Sequence, residues 1–219
     1  MFEQMIKSRT LLGPGPSDVH PRVLSAMSYP MIGHLDPQFL ALMDKVQENL
    51  RYLFRTENPI TIPISGTGSA GMEAALCNFI EPGDNVLIGV NGYFGERLCE
   101  MAKRYGAEVR RLERPWGEVF DSQEIKDALE KEPAKIVGLV HAETSTGVLQ
   151  PLEGVANLVH EYDGLLLVDC VTSLGGIPVR VDEWGIDIVY SGTQKCLSVP
   201  PGLSPLTFSP RAVETLNAR

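Results

Sequence analysis

The sequence predicts an α/β fold whose mainly parallel sheet is flanked by helices. Three observations carry that expectation. Short apolar runs of strand length recur along the chain, and amphipathic stretches of helical period lie between them. Most of the runs are also continuously apolar rather than alternating, as strands covered on both faces must be. The 219 residues suit one domain, and 43% hydrophobic with 21% charged residues matches an ordinary globular chain. That composition excludes a disordered, collagen-like or disulfide-scaffold protein.

The chain opens on Gly13-Pro14-Gly15-Pro16, which holds neither a helix nor a paired strand. We place an extended arm over residues 1–17 and the folded domain over 18–219. From Pro37, Phe39, Leu42, Val46, Leu50 and Leu53 recur at spacings of three and four, which predicts a helix. Strands are expected at 61–65, 86–90, 136–140, 165–169, 187–190 and 205–208. Helices are expected at 69–80 (Met72, Leu76, Phe79) and at 94–105 (Phe94, Leu98, Met101, Tyr105), the latter stopped by Gly106. A third begins at Asp121, which has capping-box spacing to Glu124, and a fourth spans 152–163 with Val155, Leu158 and Tyr162 aligned. No repeat or low-complexity linker divides the domain.

Nineteen basic against 28 acidic residues leave a net charge of −9, which disfavours nucleic acid and anionic membranes as partners. The one basic cluster, Arg110, Arg111 and Arg114, reads as a solvated face. No apolar run approaches the roughly 18 residues of a membrane span, and MFEQMIKSRT lacks the apolar core of an export signal. The four cysteines are widely spaced, with no CxxC and no ligand-like spacing to the four histidines. A cytoplasmic, reducing compartment and no metal are expected.

Ligands of parallel sheets gather at the carboxyl ends of the strands, so the residues after each apolar run are the informative ones. After TIPIS comes Gly66-Thr67-Gly68-Ser69-Ala70-Gly71, a glycine-rich turn into a helix that can cradle a phosphate. It is also a literal GxGxxG. A dinucleotide site would need an acidic residue ending the next strand, where this chain has VLIGVNG. A plain turn remains the bland alternative. After LLLV comes Asp169, a carboxylate that burial would make costly without a partner. Magnesium ligation in a nucleotide hydrolase is disfavoured, since the chain has no GxxxxGK[ST]. A helix N-cap stays open as a structural role. After DIVY comes Ser191-Gly192-Thr193-Gln194-Lys195. Of seven lysines, only Lys195 follows an apolar strand, where desolvation would favour its neutral, nucleophilic amine. Taken together, the three are the parts that hold pyridoxal 5′-phosphate. The cradle takes the phosphate, the lysine bonds the aldehyde, and the carboxylate keeps the ring nitrogen protonated.

The segments GPGPSDVHPRVL, SGTGSAGMEAAL, EPGDNVLIGVNGYFGER, HAETSTGVLQPL, LLLVDCVTSLGGIPV and GIDIVYSGTQKCL resemble class V aminotransferases of fold type I, in order along essentially the whole chain. The likeness is to the alanine–glyoxylate and serine–glyoxylate (serine–pyruvate) group. It implies a pyridoxal-phosphate-binding large domain that stops before a small C-terminal domain. It implies Lys195 as the cofactor lysine and proton carrier, and Asp169 as the ring-nitrogen partner. Val171 and Phe94 would pack on opposite ring faces, with Phe94 where the group often has Trp. Thr144 would lie near the ring oxygen, and Gly68, Ser69 and Gln194 would bind phosphate, Ser69 standing where some relatives carry His. His141 is assigned to structure. The implied reaction is transamination from serine or alanine to glyoxylate or pyruvate, in a homodimer. A desulfurase or kynureninase would share Lys195 and Asp169, although Cys196 is poorly placed as a desulfurase nucleophile. A folded but weakly active or inactive fragment is the other alternative, because the family's chains run to nearly twice this length. Their later half supplies a small domain and an arginine for the substrate carboxylate.

Overall fold

The computed structural model describes residues 9–219, so residues 1–8 of the expected arm lie outside it. A short helix α1 (Pro21–Ala26) and a long α2 (Pro37–Phe54) lead into β1 (Ile60–Ser65) and α3 (Gly68–Cys77). Strand and helix then alternate through β2 (Asn85–Val90), α4 (Tyr93–Arg104), β3 (Glu108–Glu113), α5 (Ser122–Lys131), β4 (Ile136–Val140), α6 (Val155–His160) and β5 (Leu165–Asp169). The chain continues through α7 (Val181–Trp184), β6 (Ile188–Tyr190), β7 (Leu203–Phe208) and α8 (Pro210–Asn217). The strands form one sheet in the order β1-β7-β6-β5-β4-β2-β3. Only β7 runs antiparallel to its neighbours.

Side chains alternate across each strand, so a sheet covered on both faces needs apolar residues at every position. In β5, Leu165 and Leu167 face a layer built with Met72, Leu76 and Phe79. Leu166 and Val168 face the opposite layer, built with Phe54, Ile125 and Leu129. All four are buried. The continuous apolar runs thus become the central strands, with α3, α4 and α8 on one face and α2, α5 and α6 on the other.

Three local differences from expectation have physical reasons. The strand β3, EVRRLE, carries no apolar run because it lies at the sheet edge, where charge protects unpaired backbone. Its arginines are neutralised within the chain. Arg111 pairs with Glu96 at 2.6 Å and Glu113 at 2.7 Å, and Arg114, just beyond, pairs with Glu124 at 2.6 Å. The helix expected over 152–163 is confined to Val155–His160, because Gly154 before it and Asp163 after it both adopt left-handed conformations. Three helices, α1, α7 and α8, were not expected. The first and last start from residues that mark helix entry, His20-Pro21 and Ser209-Pro210, with Ser209 Oγ accepting from Ala212 N at 3.1 Å.

Packing of α3 against the sheet requires a bare α-carbon at Gly71. A Cβ there would lie 2.0 Å from Ser204 Oγ and 3.1 Å from Cβ of Tyr190, all buried. At Gly138 a Cβ would meet only Ile88 at 3.5 Å and Leu98 at 4.0 Å. Gly71→Ala is expected to lose about 2–3 kcal/mol in urea unfolding, whereas Gly138→Ala stays within about 1 kcal/mol of the native chain. Equal effects of the two would contradict this packing.

Candidate active site

Because β1, β2, β4, β5 and β6 run in one direction, their carboxyl ends meet at one edge of the sheet. That edge receives the glycine-rich turn after β1, Phe94 after β2, Thr144 after β4, Asp169 and Val171 at the end of β5, and Gln194 and Lys195 after β6. Register makes the alignment close: Asp169 stands opposite Val140 on one side and Tyr190 on the other.

At the cradle, Gly68 begins α3 and is buried, and the N-cap Thr67 makes no side-chain capping bond to the helix's first N–H groups. A Cβ on Gly68 would lie 2.9 Å from Cγ2 of Val171, and one on Gly192 would lie 3.4 Å from both N and Cα of Gly68. The three turns therefore touch. Beside them, Oε1 of Gln194 is buried without a hydrogen-bond partner. The side chain can present either end of its amide by a half-turn. Helix-start N–H groups, the exposed Ser69 and this idle amide form a donor set that fits a phosphate.

Asp169 is buried, with 3% of its surface exposed. Its Oδ1 accepts from Val171 N at 2.8 Å and its Oδ2 from the Tyr190 hydroxyl at 2.6 Å. The carboxylate thus closes a turn and does not cap a helix. Burial pushes it up to about 6; the bonds from Tyr190 and Val171 and the charge of Lys195 pull the other way, while Glu143 adds to the rise. Burial, then Asp169, pushes the Tyr190 phenol well above its ordinary range, so it stays a donor.

Lys195 is partly buried, and desolvation lowers its pKa against the opposing pull of Asp169. Its Nζ donates to the Pro14 carbonyl at 2.6 Å. The arm is anchored there: Ser17 N donates to Gln194 O at 2.8 Å, and Ser17 Oγ donates to Lys195 O at 2.7 Å. The described part of the expected tail is thus a strap across the lysine.

Sequence reasoning missed Glu143. It is 1% exposed, and its Oε2 accepts from Phe94 N at 3.0 Å. Its Oε1 accepts from Ser145 N at 3.0 Å and Ser145 Oγ at 2.7 Å, while Ser145 Oγ accepts from Tyr93 N at 3.0 Å. The turn bearing Thr144 therefore clamps the start of α4 and fixes Phe94. An acid three residues past a buried strand was the available signal. Thr144 in turn hydrogen-bonds Thr172 across the strand ends. His141 faces away from the site, bonded to Ser173 Oγ at 2.9 Å and edge-on to Trp184 at 5.6 Å. Burial lowers it to about 4, so it is neutral near pH 7, in keeping with a structural role. A groove of about 730 Å³ between α2 and the 175–178 turn contains none of these residues. Among the described residues no cluster of His, Cys, Asp and Glu could hold a metal ion.

The raised pKa of Asp169 makes stability depend on pH. The folded chain holds this proton more tightly than the unfolded chain, so its contribution is complete below the ordinary 3.8 and is lost as pH rises through about 6. At pH 7.5 the buried charge costs roughly 2–3 kcal/mol. Without added ligand, Asp169→Asn is expected to exceed the native chain by roughly that amount in urea unfolding at pH 7.5. The advantage should fade by pH 4. An advantage independent of pH would contradict the assignment.

The chain is similar to the alanine–glyoxylate aminotransferase of Rattus norvegicus, at 47% identity over 98% of this chain and 52% of that protein. It is 48% identical to the (S)-ureidoglycine–glyoxylate transaminase of Bacillus subtilis (strain 168), over 96% of this chain and 51% of that one. Among solved structures, an alanine–glyoxylate aminotransferase from Nostoc sp. superposes with a TM-score of 0.97 at 60% identity, covering 98% of this chain and 57% of its own. A cysteine desulfurase from Thermococcus onnurineus NA1 shares the fold, with a TM-score of 0.71 at 16% identity. The chain spans about half the length of the curated relatives it matches. The family model described as Aminotransferase class-V matches residues 11–218, nearly the whole of this sequence. On that match and these identities, the chain belongs to the class-V aminotransferase family.

Proposed function

We propose that this chain carries the pyridoxal 5′-phosphate site of an aminotransferase that moves an amine from a small amino acid, serine or alanine, to glyoxylate or pyruvate. The observation that carries the reading is the meeting of Lys195, Asp169 and the Gly68–Ser69 turn at one sheet edge. Support for glyoxylate as acceptor comes from the relatives, two of which are named as glyoxylate aminotransferases with different amino donors.

Gly68, Ser69 and Gln194 would hold the phosphate, Phe94 and Val171 would flank the ring, and Thr144 would meet its oxygen. The bound cofactor supplies an electron sink. Everything else is done by the chain. Lys195 must leave the Pro14 carbonyl and be unprotonated to act as a nucleophile, and partial burial favours that form. Its flexible stem then lets Nζ carry a proton over a short path. Asp169, fixed by Tyr190 and Val171, presents a carboxylate whose orientation does not drift. The arm strap holds Pro14 and Ser17 against the Lys195 turn, and the buried Glu143 clamp fixes the start of the helix that carries Phe94.

A homodimer and a cytoplasmic setting belong to the same proposal. Leu12, Met27, Tyr29, Met31 and Leu35, all before α2, are exposed apolar residues suited to cover by a second copy. The four cysteines are unbonded, which fits a reducing compartment. No helix of the described residues is long and apolar enough to cross a membrane.

Borohydride reduction of the chain mixed with pyridoxal 5′-phosphate should fix the cofactor on Lys195, read by peptide mass. Glycine should form from glyoxylate only with alanine or serine present, and Lys195→Ala should abolish both signals. Labelling confined to other lysines, or glycine formation surviving in the variant, would overturn the reading.

A further inference from the structure

The phosphate cradle described above is built wholly from neutral groups, namely helix-start N–H groups, a hydroxyl and an amide. A phosphate monoester carries about −1.5 to −2 charges at neutral pH. The terminus of α3 answers with about half a positive charge. Neutral donors in a chain of net charge −9 leave that dianion under-compensated.

The missing charge stands on α4. Phe94 and Arg97 are three residues apart, so they share one face of this helix. Phe94 packs against the core layer that contains Val171, and Arg97 reaches toward the start of α3, its Nη2 3.4 Å from Ser69 Oγ. Its charge also opposes the shift at Tyr190, the residue bonded to Asp169. Arg97 has no carboxylate within 4.0 Å among the described residues. Its helix neighbour Glu96 is held at 2.6 Å by Arg111 and so does not neutralise it. The arginines of the β3 edge are paired, whereas the one beside the cradle is free among the described residues.

We infer that Arg97 is a phosphate-binding residue of this site, recognising a dianionic phosphate ester through the guanidinium that now rests on Ser69. The inference rests on the cofactor reading above and adds a residue that the sequence motifs did not single out. It makes α4 a two-part element, with Phe94 for the ring and Arg97 for the phosphate, both set in place by the Glu143 clamp at the helix start.

Two aldehydes separate this role from a structural one. Pyridoxal 5′-phosphate and pyridoxal share the ring and the aldehyde and differ in the phosphate. Binding of each is measured by equilibrium titration of the native chain, Arg97→Gln and Arg97→Lys. Arg97→Gln should weaken the phosphate ester by about tenfold or more and change pyridoxal by less than about twofold, and Arg97→Lys should recover part of the loss. Unchanged binding of the ester by Arg97→Gln overturns the inference and leaves the cofactor reading standing. Equal loss of both aldehydes overturns it too, because a folding defect does not distinguish them. A native chain that binds neither aldehyde overturns the cofactor reading and the inference with it.

Discussion

The rest of the structure depends on a contact made by atoms that are missing. A Cβ on Gly192 would crowd Gln194 Oε1 at 2.9 Å and touch the Gly68 backbone at 3.4 Å, while one on Gly68 would press on Val171 at 2.9 Å. That approach draws the turn after β1, the end of β5 and the turn after β6 into one cluster. It can happen because the sheet has already brought those strand ends to one edge. Parallel strands require the apolar burial on both faces that the two core layers provide. The glycine contacts then convert an alignment of strands into one cluster of turns.

Electrostatics at that edge work by opposition. Burial disfavours the charged forms of both Asp169 and Lys195, and each favours the charge of the other. The two hydrogen bonds to Asp169 hold its orientation, and the Pro14 carbonyl holds the lysine amine. Such a pair is poised, and this is what a reaction needing a fixed carboxylate and a mobile amine demands. A buried carboxylate at neutral pH is destabilising by itself, so the fold retains it against its own stability.

Much of this was legible in the sequence, and the reasons are specific. Central strands such as LLLVD announce themselves because every position must be apolar, and the residues after them carry the site because strand ends do. The strand EVRRLE escaped notice because an edge strand is under the opposite constraint. Glu143 escaped because it binds Phe94 N, a backbone group 49 residues away, as well as the adjacent Ser145, and no spacing along the chain records the distant contact. Arg97 escaped because it gains meaning only from the distance between two helices, which spacing along one of them does not encode. The arm at Gly13–Pro16 was readable as extended, yet its seat on Lys195 is a contact spanning 181 residues.

If this edge holds pyridoxal 5′-phosphate as proposed, the ring nitrogen lies against the carboxylate of Asp169. Nitrogen-15 NMR of the chain loaded with ring-labelled pyridoxal 5′-phosphate tests it directly, since protonation moves the ring-nitrogen resonance far upfield. A pyridinium signal is expected at pH 7.5 in the native chain, moving to the neutral-pyridine position in Asp169→Asn. A neutral-pyridine signal in the native chain, or a pyridinium signal that survives the substitution, would contradict it.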